Sequence, residues 1–150
     1  MKIIVVGCGK IGRKITEQLS FEGHDVVVID SNNAVVQDVS DDFDVMGVVG
    51  NGASYSVQME AGIEEANLLI AATDSDEVNL LCCMIAKKAG NCSTIARVRN
   101  PVYSSEIDFI KEELGLAMTI NPEFAAAQEI ARILRFPSAI KIDTFSKGRI

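Results

Sequence analysis

The sequence predicts a doubly wound α/β fold, with six parallel strands in the order 3-2-1-4-5-6 and helices on both faces of the sheet. Three observations carry this expectation. Apolar runs of strand length alternate with helical patterns along the chain. The first run, residues 2–6, leads into Gly7-Cys8-Gly9-Lys10-Ile11-Gly12 and then into a helical pattern. The second, residues 25–29, closes on Asp30, 18 residues past Gly12. That is near the ~20 residues that separate glycine loop and acidic residue in a dinucleotide-binding βαβ unit of the Rossmann type.

The elements come in order. Strands are expected at 2–6, 25–30, 45–49, 67–72, 93–98 and 117–120, and helices at 11–22, 32–41, 54–61, 77–89, 102–114 and 122–134. In the glycine loop, Gly7 permits the tight turn, Gly9 lets a pyrophosphate approach the backbone, and Gly12 lets the first helix pack on the sheet. The whole segment Gly7, Cys8, Gly9, Lys10, Ile11 and Gly12 is the expected phosphate-binding loop, with free N–H groups at the helix start facing an anion. The alternative is a glycine-rich turn that binds nothing. Asp30 suits the ribose hydroxyls of an adenosine and repels a 2′-phosphate. Ser31 and two asparagines come after it, with no Lys or Arg to receive such a phosphate. NAD(H), or another adenine nucleotide with a free ribose, is therefore expected over NADP(H).

The later carboxyl-end loops supply further candidates. After strand three come Asn51 and Gly52; Asn51 either contacts adenine or serves the turn. After strand four come Ala72, Thr73 and Asp74, close to the expected cleft, then Ser75, Asp76 and Glu77, suited to the start of the next helix. Strand five ends with Arg97 and Arg99 on one face. Arg97 is read as a ligand or interface residue, the alternative being an ion pair with an acidic loop residue. The run Leu80–Ala86 holds more apolar residues than one buried helix face requires, which suggests an oligomer contact or a deeply buried helix. The helix from Pro122 has Asn121 as N-cap, and Phe124, Ala127, Ile130, Ala131 and Leu134 at helical spacing. Residues 139–145 alternate like one more strand and read as the start of another module, so the chain reads as a fragment of a longer polypeptide.

Composition narrows the function. With 150 residues and 48% hydrophobic content, the chain suits one compact domain. A net charge of −7 opposes nucleic-acid binding. No apolar run approaches the ~20 residues of a bilayer span, and the N-terminus lacks a signal-peptide pattern. A cytoplasmic protein without direct membrane insertion is expected. Cys8, Cys82, Cys83 and Cys92 have no metal-site spacing. Cys8, near a helix start, stands where a thiol pKa falls; the alternative is a small residue that fits the turn. Asp38, Asp41, Asp42 and Asp44 read as a solvated helix end, and His24 as a surface turn residue.

The segments GCGKIG, VVVID, VVGNGAS, ATDSDEVN, IARVRNP and NPEFAAAQEIARIL together resemble the N-terminal nucleotide-binding domain of the Trk/Ktr potassium-uptake regulators, the TrkA-N or RCK family. The ending LRFPSAIKIDTFSKGRI resembles the junction after that domain. The resemblance implies a non-enzymatic, peripheral cytoplasmic regulator bound to an integral-membrane potassium transporter subunit. It implies NAD(H), or ATP and ADP, at the glycine-loop site, and homo-oligomers in which dimers build tetramers or rings. By carry-over, Gly7, Gly9 and Gly12 contact the pyrophosphate and Asp30 the ribose. Asn51 lies near adenine, where many relatives have Asp, and Thr73 and Asp74 border the phosphates or second ribose. Arg97 is the strand-five arginine. Lys10 stands where ATP-binding relatives often carry Arg, which keeps ATP in play. Glu123 falls near a dimer interface, and the helix from Pro122 is the crossover helix. Residues 1–135 form the nucleotide-binding domain and 136–150 the junction. The competing readings are an NAD-dependent oxidoreductase, which needs a substrate domain and an acid or base beside the nicotinamide, and the gating domain of a potassium channel, whose pore would precede it in the chain.

Overall fold

The computed structural model describes residues 1–135; the junction 136–150 and the strand expected at 139–145 lie outside the described residues. Six strands, β1 (Lys2–Val6), β2 (Asp25–Asp30), β3 (Met46–Val49), β4 (Leu68–Ala71), β5 (Ser93–Arg97) and β6 (Met118–Ile120), form one sheet in the order β3-β2-β1-β4-β5-β6. Every pairing is parallel, with Val5 opposite Val28 and Ile70, and Arg97 opposite Ile120. The expected order is observed.

The inner strands are continuous Val/Ile/Leu runs because both of their faces are covered, as parallel sheets require. On one face Ile4, Val6, Val27, Ile29 and Leu69 pack with Ile63, Cys82, Cys83 and Ala86. On the other, Ile3, Val5, Val26, Val28 and Ile70 pack with Val39, and with Ile15 and Leu19 at the margin. The alternation of side chains along each strand thus feeds two separate layers. The helices α1 (Lys10–Phe21) and α2 (Asn33–Phe43) supply the second layer. The first is built by α3 (Tyr55–Glu60), a short 3-10 turn at Ile63–Glu65, and α4 (Asp76–Gly90).

The helix expected at 102–114 is two helices, α5 (Pro101–Ser105) and α6 (Ile107–Leu114). Glu106 sits between them at φ −117°, ψ 18°. At the break the Glu106 N–H donates to the Tyr103 carbonyl at 3.1 Å, three residues back, and beside it Ser104 Oγ donates to the Asn100 carbonyl at 3.0 Å and Ser105 Oγ to the Val102 carbonyl at 2.9 Å. Such side-chain bonds compete with helix propagation. The 3-10 turn, entered through Gly62 at φ +87°, also escaped the sequence reading.

Two compact units divide the chain after Ile120. The first holds the whole sheet. The second begins at Asn121 and carries α7 (Pro122–Arg135), whose start is capped as expected: Asn121 Oδ1 accepts from the Phe124 N–H at 3.0 Å.

Candidate functional site

Strands β1 to β4 deliver their carboxyl ends to a cleft of about 470 Å³. Gly7, Gly9, Asp30, Ser31, Asn51, Gly52, Ala72, Thr73 and Asp74 all line it. Nine sequence-predicted residues from four separate loops therefore meet in one place. Cys8, Lys10, Ile11, Gly12 and Arg97 do not line it, whereas Val6, Ile29, Gly50, Ser75 and Val78 do. Val6 and Ile29 were legible in principle, because in a parallel sheet the last strand residues border the ligand crevice.

The glycines act in different ways. Gly7 has φ +95°, and a Cβ there would lie 2.9 Å from the carbonyl oxygen of Ala72. A Cβ on Gly12 would lie 1.7 Å from the carbonyl oxygen of Gly7, so α1 and the loop touch backbone to backbone. Around Gly9 nothing lies within 4 Å of such an atom. The open space is where a ligand can approach the backbone. Gly9 is the N-cap of α1 and offers no side-chain cap, and the first turn of α1 has no acidic residue. By contrast, α2 is capped by Asn32 and α4 by Ser75. The first N–H groups of α1 are thus suited to a phosphate.

Asp30 ties the loop to the end of β2. Its Oδ2 accepts from the Cys8 N–H at 2.8 Å and its Oδ1 from the Asn32 N–H at 2.9 Å. A carboxylate oxygen has two lone-pair sites, so both retain capacity for ribose hydroxyls. The Cys8 side chain turns away into the α1/α2 layer of the core. Burial first, then the Asp30 carboxylate, push its thiol up to about 12, although Arg13 opposes them. The lowering expected from the helix start does not occur, because desolvation of the thiolate outweighs the helix field. Cys8 is a small buried residue with a protonated thiol.

Asn51 serves its turn, with Oδ1 accepting from the Ala53 N–H at 2.9 Å. Arg97 is buried and reaches the loop after β4: Nη1 donates to the Thr73 carbonyl at 3.3 Å and lies 3.5 Å from Asp74 Oδ1. Arg99 donates to the Asp74 carbonyl. Both arginines brace the same loop, Arg99 from beyond the end of β5. Ser75 caps α4 by accepting from the Val78 N–H at 3.2 Å. Asp76 does other work: Oδ2 accepts from the N–H groups of Arg99 at 2.9 Å and Asn100 at 2.7 Å.

Sequence reasoning assigned no role to two fully buried amides, Gln58 and Asn79. Gln58 Nε2 donates to the Gly52 carbonyl at 2.7 Å, and Asn79 Oδ1 accepts from the Thr73 N–H at 2.9 Å. A polar residue at a helix position facing the core was the available signal.

A family model described as the TrkA-N domain matches residues 3–122. A Trk system potassium uptake protein TrkA homolog of Archaeoglobus fulgidus is 37% identical over 150 residues, covering 100% of this chain and 34% of that protein. The Trk system potassium uptake protein TrkA of Haemophilus influenzae is 34% identical over 153 residues, covering 100% of this chain and 33% of its own. The chain thus spans about a third of the length of the curated relatives it matches. Solved structures share the fold. The TrkA-N domain of the inner membrane protein ybaL from Escherichia coli aligns with TM-score 0.77 at 24% identity, over 89% of this chain and 96% of that one. The Kef CTD of Shewanella denitrificans in AMP-bound form aligns with TM-score 0.75 at 21% identity, over 98% and 92%. A GsuK channel bound to NAD aligns with TM-score 0.66 at 21% identity, over 79% and 21%.

Proposed function

The chain belongs to the TrkA-N domain family, and from that membership we propose that it is the nucleotide-binding regulatory domain of a potassium uptake system. The observation that carries the reading is the cleft itself. An uncapped helix start with open space at Gly9 stands beside the carboxylate of Asp30, which the Cys8 N–H ties to the same loop, at the carboxyl ends of the sheet. The backbone at Gly9, where the cleft meets the start of α1, would take the phosphates, Asp30 the adenosine ribose, and Asn51 and Gly52 the base.

NAD(H) is the first-ranked ligand and ATP or ADP the second. The charged residues lining the cleft, Asp30 and Asp74, are both carboxylates. That lining suits a dinucleotide, with one negative charge on each phosphate, better than a triphosphate. The AMP and NAD named for the structural neighbours support an adenine nucleotide.

The site is read as regulatory rather than catalytic. A regulator needs only different affinities for its ligand in two arrangements, and a coupling of ~1–3 kcal/mol suffices. The partner would be an integral-membrane potassium transporter subunit of Trk/Ktr type. The domain would sit in the cytoplasm, at the inner face of the membrane, through that subunit. Leu81 and Met84, each 42% exposed on α4, support a homo-oligomer. Residues 1–135 would form the nucleotide-binding domain, and 136–150 the junction to a C-terminal subdomain. The potassium-channel gating domain is the second reading, supported by the likeness to GsuK.

Calorimetric titration with NAD⁺, NADH, NADP⁺, ATP and ADP tests the proposal. We expect micromolar binding of NAD(H), about −8 kcal/mol, with NADP⁺ much weaker and Asp30→Ala abolishing the signal. A preference for ATP or ADP would move the reading to an energy-charge sensor. No binding to any of the five would refute it.

A further inference from the structure

Both lips of the cleft are tied to one helix by side chains that reach no solvent. On the Asp30 side, Gln58 of α3 donates from Nε2 to the Gly52 carbonyl at 2.7 Å and to the Cys82 carbonyl, in the body of α4, at 3.0 Å. On the opposite side stands Asn79, in the first turns of α4. Its Oδ1 accepts from the Thr73 N–H at 2.9 Å and the Thr73 hydroxyl at 2.6 Å. Its Nδ2 donates to the carbonyls of Thr73 at 3.1 Å and Arg97 at 2.8 Å. Both side chains are 0% exposed, and neither lines the cleft.

The chemistry of each position admits little but an amide. Asn79 offers two donors to two carbonyls and one oxygen to two donors, which exhausts its ordinary capacity. An aspartate there would set oxygen against two carbonyl oxygens. Gln58 spends both donors on carbonyls, and its Oε1 has no hydrogen-bond partner among the described residues. A buried, unpaired amide oxygen is a net cost to folding, and an apolar side chain of the same length would avoid it. What the apolar side chain would not do is hold Gly52.

We propose that Gln58 and Asn79 are the positioning residues of the nucleotide site, Gln58 acting through Gly52 and Asn79 through Thr73, so that α4 sets the span between the two lips. The proposal rests on the nucleotide reading above, with the adenosine half on the Asp30 side. It makes the two residues separable by ligand. A mononucleotide uses the Gly52 lip, whereas a dinucleotide uses both.

The test measures AMP and NAD⁺ affinity by calorimetry on the full chain and on Gln58→Met and Asn79→Asp, with thermal melts in parallel. Gln58→Met should weaken AMP and NAD⁺ alike, by about tenfold, and Asn79→Asp should weaken NAD⁺ by about tenfold but AMP by less than about twofold. A general loss of stability would lower both affinities in the same ratio in both variants, and that result overturns the proposal, as does unchanged affinity in both. Should Asn79→Asp not fold, hydrogen exchange on the wild-type chain decides. NAD⁺ should slow exchange at 73–79 as well as 52–58, and AMP at 52–58 alone; equal protection by both ligands overturns the assignment. A wild-type chain that binds neither ligand overturns the nucleotide reading and this proposal together, whereas the other adverse results overturn the positioning roles alone.

Discussion

Gly9 and Gly12 are three residues apart and have opposite physical reasons to be glycine. A methyl on Gly12 would fall 1.7 Å from the Gly7 carbonyl oxygen, which is backbone and cannot swing aside. Gly12→Ala must therefore push α1 off the loop, at a cost of about 3 kcal/mol or more. A methyl on Gly9 meets nothing within 4 Å, and φ there is −71°, an ordinary value. Gly9→Ala should shift stability by less than about 0.5 kcal/mol. It should nonetheless weaken nucleotide binding at least about tenfold, because the methyl fills the approach to the phosphate-binding backbone. Urea unfolding and calorimetry on the two variants check this. Equal destabilisation by both would mean that Gly9 is structural, and full affinity in Gly9→Ala would place the phosphates elsewhere. The motif told the sequence reader that three glycines matter. It assigned the turn to Gly7, the ligand approach to Gly9 and the helix packing to Gly12, but not the atoms that the tertiary fold brings to each glycine, which set the cost of a side chain there.

At the scale of elements, the loops that carry the site are braced by helix starts. Asp76 stands in the first turn of α4, where its sequence position suggests a cap. Ser75 fills that role, and the Asp76 carboxylate accepts instead from the Arg99 and Asn100 N–H groups between β5 and α5. Asp76 is 7% exposed and accepts both bonds, so its removal leaves two N–H groups without that acceptor. Asp76→Ala should cost about 2–3 kcal/mol, and Asp76→Asn, which keeps an acceptor oxygen, less than half of that. Denaturant unfolding of both variants gives the comparison; equal losses would show that the charge rather than the acceptor matters. Local pattern was enough for the strands and most helices, since a parallel sheet buries continuous apolar runs and leaves period and punctuation intact. It failed where the decisive bonds are not periodic. The turn at Glu106 between α5 and α6, the shift of Asp76 from cap to brace, and the buried amides of Gln58 and Asn79 all rest on bonds that no local period encodes.

For the whole molecule, the question is how much of the chain the site needs. Every residue lining the cleft lies between Val6 and Val78. The strand that completes the sheet, β6, ends at Ile120, where the first compact unit also ends. Both core layers, the anchors of α4 and the brace from Arg97 and Asp76 fall inside the same unit. A chain ending at Ile120 therefore keeps the whole sheet and every cleft contact described. It should fold cooperatively and bind its nucleotide with an affinity within about threefold of the 150-residue chain, since no lining or bracing group is removed. Circular dichroism, a thermal melt and the same calorimetric titration measure this. If the shortened chain folds and binds, recognition belongs to the first unit, and the second is left for assembly and coupling. If it folds but has lost the nucleotide, the site is completed by residues beyond Ile120, from the same chain or from a second copy. Mass measurement with and without ligand separates those cases: in the two-copy arrangement the longer chain binds only as a dimer.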